Sequence, residues 1–78
     1  MLPDYIAQYL TDEGIPADAL KDPLTSFKDL GLDMLDIATI ANLIEGHTGR
    51  DVPDDTYERW DTLEDLAQAA AWFEGVVV

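Results

Sequence analysis

Cysteine is absent from the 78 residues, so there is no disulfide framework, no thiolate nucleophile and no thiolate metal site. Bases are nearly absent as well: Lys21, Lys28, Arg50 and Arg59 stand against 17 acids, for a formal charge of −13. Four scattered bases cannot displace the counterions of a phosphate backbone, which excludes nucleic acid as a partner. The same repulsion disfavours anionic membranes. No stretch approaches the roughly 20 apolar residues that span a bilayer. Met1-Leu2-Pro3-Asp4 sets no basic stretch before an apolar run, so no secretory signal is visible and a cytoplasmic, monomeric protein is expected. Histidine occurs once, as His47, and serine once, as Ser26; no Ser/His/Asp or Cys/His constellation and no Gly-rich phosphate loop can be built. The expectation is a protein that is not an enzyme. Asp29, Asp33 and Asp36, then Asp51, Asp54 and Asp55, form acidic clusters. The second is no EF-hand loop, having no glycine at its sixth place and Pro53 near its start, and no specific metal site is expected.

What remains is an ordinary hydrophobic content of 47%, enough for one small folded domain over residues 1–78. Leu2, Tyr5, Ile6, Tyr9 and Leu10 recur at helical spacing, with Pro3 suited to a first turn and Gly14 to a stop. A long connection from Ile15 to about Leu32 carries Pro16, Pro23 and Gly31. It also carries Leu20, Leu24, Phe27 and Leu30, which predicts a loop pinned to a core. Asp33 is an N-cap candidate for a helix from Met34 to about His47, with Ile37, Ile40, Ala41 and Ile44 inward and Gly46 and Gly49 framing its end. Val52-Pro53-Asp54-Asp55 opens a short helical turn leading to Tyr57 and Trp60. Asp61-Thr62-Leu63-Glu64 starts a last helix, with an acid three residues after its cap candidate as in a capping box. Leu63, Leu66, Ala67, Ala70 and Phe73 form its inward stripe, and Gly75 ends it. The aromatic residues, Trp72 included, mostly fall at core spacing. Only Val76-Val77-Val78 hints at a strand. The fold class is all-α: three main helices, one short helix and a long first loop.

The run Phe27-Lys28-Asp29-Leu30-Gly31-Leu32-Asp33-Met34-Leu35-Asp36 resembles the signature of acyl carrier proteins, in which acid-Leu-Gly-x-Asp-Ser-Leu opens the second helix. Val52-Pro53-Asp54-Asp55 is similar to that family's aliphatic-Pro-acid step before a short third helix. Trp60-Asp61-Thr62-Leu63-Glu64-Asp65-Leu66 is similar to the start of its fourth. The resemblance implies an acyl-carrier-protein-like four-helix bundle. It also implies a site: the family's serine is esterified by 4′-phosphopantetheine, whose thiol carries acyl groups as thioesters.

The position that matches that serine is Met34, and a thioether has no hydroxyl with which to form the phosphodiester. Ser26 lies eight positions upstream and reads as a short-helix cap, and Thr39 is more than a helical turn away. The cofactor is therefore expected only if position 34 is natively serine. A natural domain that kept the fold and lost the chemistry would read this way. So would an ordinary acyl or aminoacyl carrier whose serine was replaced, although alanine is the more habitual engineered choice. An acidic mimic of nucleic acid would share the charge without requiring Asp33-x-Leu35-Asp36.

Family members present acids and an apolar anchor on the second helix to basic patches of biosynthetic enzymes. Here Asp33, Met34, Leu35, Asp36, Glu45, Asp54 and Asp55 are the matching docking candidates. The expected role is a non-acylated interaction module in fatty acid, polyketide or related thioester-dependent biosynthesis. Met34 itself has two readings: an apolar plug for a partner cleft, or a side chain folded back to fill the bundle interior.

Overall fold

The computed structural model describes residues 2–75. Four α-helices follow in order, α1 (Asp4–Asp12), α2 (Met34–Thr48), α3 (Asp54–Tyr57) and α4 (Leu63–Phe73), with a 3-10 turn at Ala17–Leu20 inside the first connection. No strand occurs among the described residues; one isolated bridge pairs Ser26 with Thr62. The possible strand at 76–78 lies outside the described residues. The all-α reading stands.

The local chemistry of α1 explains both its ends. Pro3 lies one residue before the helix rather than inside its first turn, and its carbonyl accepts from the Ile6 and Ala7 amides at 3.1 and 3.0 Å. At the other end Gly14 takes a φ of +95°, which a side-chain-bearing residue resists. That lets the Ile15 amide return to the Leu10 carbonyl and the Gly14 amide to the Thr11 carbonyl, the paired bonds of a Schellman stop. Ile15 and Leu10, joined by this turn, are both buried.

Helix α2 runs one residue beyond His47, so Gly46 sits within its last turn and Gly49 alone, at φ +72°, provides the left-handed stop. Ile37, Ile40, Ala41 and Ile44 are buried as their spacing requires. They meet Ile6 and Leu10 of α1 and Leu63, Leu66, Ala70 and Phe73 of α4 in one core, to which Phe27 and Val52 are added from the connections. The His47 ring stacks on Tyr5, centroids 3.7 Å apart and planes within 6°, while the Tyr5 hydroxyl donates to Glu74 at 3.4 Å. The three helix ends are thereby tied at one pole of the bundle.

The long connection is pinned by backbone as well as by apolar side chains. Its Pro23 and Thr25 carbonyls accept from the Glu64 and Leu63 amides at 2.8 and 3.1 Å, and the Phe27 amide donates to Asp61 at 2.8 Å. The first amides of α4, which no helix can satisfy internally, thus find acceptors on the loop. This shifts the expected cap by one residue. Thr62, not Asp61, is the N-cap, and Asp65, not Glu64, completes the capping box. Not every loop apolar residue is inward: Leu24 is exposed.

Candidate functional site

The site is built at the N-terminus of α2. Gly31, at φ +75°, turns the chain after Leu30, and the Leu32 amide bonds back to the Phe27 carbonyl at 3.0 Å. Asp33 then caps the helix: its Oδ1 accepts from the Asp36 amide at 3.0 Å, and Asp36 Oδ2 accepts from the Asp33 amide at 3.2 Å. The other Asp36 oxygen accepts from the Tyr9 hydroxyl of α1 at 3.3 Å. Both carboxylates are therefore held, and the backbone between them, Met34 and Leu35, is rigidly presented.

Met34 is 53% exposed and Leu35 78% exposed. Met34 is not among the residues packed in or against the core, so the reading in which it fills the bundle interior is overturned. The reason is positional. The first residue of α2 precedes the inward stripe that begins at Ile37.

The hydroxyls nearest in sequence are engaged. Ser26 Oγ accepts from the Asp29 amide at 3.1 Å, capping a turn as its place suggested, and Thr39 donates to the Leu35 carbonyl at 2.9 Å. Tyr9, between these elements, has its hydroxyl pKa pushed up to about 12. Burial is the main cause, and the carboxylates of Glu13 and Asp36 reinforce it.

The remaining acids occupy other positions. Glu45, one turn before the end of α2, accepts from the Val52 amide at 2.7 Å and anchors the step into α3. Asp54 and Asp55 form the exposed first turn of α3. Asp33, Met34, Leu35 and Asp36 thus form one contiguous group, Glu45 is part of the scaffold, and Asp54 and Asp55 lie beyond the other end of α2. Among the described residues no group of three or more His, Asp or Glu side chains is placed to hold a metal ion.

The expectation that the aromatics pack inward fails at one residue. Trp72 stands 58% exposed, edge-on to the buried Phe73 with centroids 4.9 Å apart. Its number carried the signal. Nine residues after Leu63, at about 3.6 residues per turn, is half a turn out of phase with the inward stripe.

The family described as a phosphopantetheine attachment site matches residues 4–70, which takes in all four helices except the end of α4. The chain belongs to this family. No solved structure gives a significant match. Membership makes the protein a carrier-protein-like domain with the small all-α fold of that family, and it implies possible attachment of 4′-phosphopantetheine. Carrier domains of the family are generally not enzymes themselves; they interact with biosynthetic enzymes. Among the described residues no helix is long and apolar enough to cross a membrane.

The start of α2 is capped, and Met34 there is half-exposed and carries no hydroxyl with which a phosphodiester could form.

Proposed function

We propose that residues 1–78 form a single cytoplasmic carrier-like domain that bears no phosphopantetheine arm and serves as an interaction module in fatty acid, polyketide or related thioester-dependent biosynthesis. One observation carries this reading. Position 34, aligned with the family's serine by its Asp33-x-Leu35-Asp36 context, holds a half-exposed thioether. Ser26 lies eight positions upstream in the loop and Thr39 donates to the Leu35 carbonyl within α2, so neither hydroxyl stands at the helix start, which supports the absence of a substitute attachment point.

The contacts that the arm would have dominated pass to Met34 and Leu35, two apolar groups at a rigid helix start. Flexible, polarizable methionine adapts to irregular clefts. The charge of −13 steers the domain toward basic surfaces of enzymes that recognise carriers. Asp54 and Asp55 add fixed negative charge to that approach, and Asp33, Asp36 and Glu45 add theirs while holding the backbone.

Intact mass after incubation with coenzyme A and a broad phosphopantetheinyl transferase tests the reading. The expected result is an unmodified mass for this chain and a gain of one phosphopantetheine for Met34→Ser. An arm found on this chain, at whatever side chain, overturns it. The intact capping box around Met34 also favours a second reading, an ordinary acyl or aminoacyl carrier whose serine was replaced. Full thioester loading and transfer by the serine variant would select it.

A further inference from the structure

The chain holds two methionines, Met1 and Met34, and no cysteine. Without a thiol, its sulfur chemistry is that of its thioethers. Met34, the one among the described residues, is half-exposed and lies outside the core and outside the apolar residues packed against it. The backbone that carries it is fixed, because Asp33 and Asp36 each accept from the amide of the other. A reachable thioether therefore stands at a rigid helix start, beside the still more exposed Leu35.

We propose that Met34 is a redox-controlled site: hydrogen peroxide converts it to the sulfoxide, and the sulfoxide releases a partner docked there. The inference rests on the docking reading above and adds its regulation. The sulfur lone pair attacks one peroxide oxygen, the O–O bond breaks, and the departing hydroxide is protonated to water. An S–O bond forms, with the sulfur oxidised by two electrons and the peroxide reduced by two. Hydrogen peroxide is uncharged, so a molecule of charge −13 does not repel it as it would an anionic oxidant. A methionine sulfoxide reductase drawing on a thiol reductant reverses the step. The thiols go to a disulfide and the oxygen leaves as water.

The place of Met34 decides what its oxidation touches. A sulfoxide within a core disrupts packing, but Met34 lies outside the core and the fold is spared. The cost falls on the docked partner. A flexible apolar group that fitted its cleft becomes a strong hydrogen-bond acceptor that must shed water on binding. A penalty of that kind weakens binding about tenfold.

Intact mass and peptide mapping after graded hydrogen peroxide, followed by calorimetric titration with a phosphopantetheinyl transferase as the partner, test the proposal. The expected result is one oxygen added at Met34, unchanged circular dichroism and affinity about tenfold lower, recovered after reductase treatment. Met34→Gln, unbranched and polar, should bind as weakly as the oxidised chain without any peroxide. Met34→Leu, at whatever affinity it starts, should not respond to peroxide, which also removes Met1 as the source of the effect. Equal affinity before and after oxidation of Met34 overturns the inference and leaves the docking reading standing. So does a Met34 that stays unoxidised under peroxide that converts free methionine. Loss of the fold on oxidation overturns it too, as does a response to peroxide that persists in Met34→Leu. A chain that binds no transferase before oxidation fails the docking reading itself, and this inference falls with it.

Discussion

Asp33 and Asp36 show how two residues fix the start of a helix together. Each caps the amide of the other, and the second Asp36 oxygen accepts from Tyr9. Met34 contributes nothing comparable to folding. Met34→Ala is expected to leave the melting temperature nearly unchanged, within about 0.5 kcal/mol, as for other surface substitutions. Asp33→Ala should lose about 1 kcal/mol with its cap. Thermal unfolding of the two variants side by side checks both, and a large loss in Met34→Ala would restore the interior-filling reading.

Tyr9 makes a prediction of opposite character. Its folded pKa lies near 12 against 10.0 for the unfolded side chain, so the native state holds this proton more tightly. The stability linked to it is complete below about pH 10 and is lost as pH rises toward 12. Tyr5 and Tyr57 are raised in the same direction, mainly by desolvation. Unfolding followed from pH 9 to about 12 should show a steep alkaline loss, and Tyr9→Phe should flatten part of it.

At the scale of elements, the long first connection behaves as a structural member. It supplies the carbonyls that start α4, places Phe27 in the core and delivers Gly31 to the turn that precedes the site. A buried phenylalanine replaced by alanine typically loses about 3–5 kcal/mol. Phe27→Ala is expected to fall in that range and to free the loop on both sides of it. Hydrogen exchange would register this as faster exchange at the Leu63 and Glu64 amides, which depend on the loop for their acceptors. Unchanged protection there would mean that α4 does not need the loop.

At the scale of the molecule, self-repulsion dominates. With one exposed ion pair found among the described residues, there is little favourable pairing for salt to screen and much repulsion. Added neutral salt should therefore raise the melting temperature, the reverse of a protein held by surface ion pairs. For a domain of this size a gain of about 1 kcal/mol corresponds to about 4–8 °C. A melting temperature that falls or stays flat with salt would contradict this.

Much of this protein is a consequence of local order along the chain. The inward stripes of α1, α2 and α4, the Asp33 cap, the stops at Gly14 and Gly49 and the signature ending at Asp36 rest on neighbours within about one or two turns, and periodicity exposes them. Met34, too, is legible before any fold, because the absence of a hydroxyl is a fact of composition. The rest depends on contacts between distant segments. The cap of α4 moved to Thr62 because loop carbonyls claimed its first amides. Glu45 is also tied to the Val52 amide, and Trp72 stayed outside because its helix had already met the core along another face. Which face of a helix is covered, and which polar group is already spoken for, are properties of what packs beside it, and these only the tertiary arrangement decides.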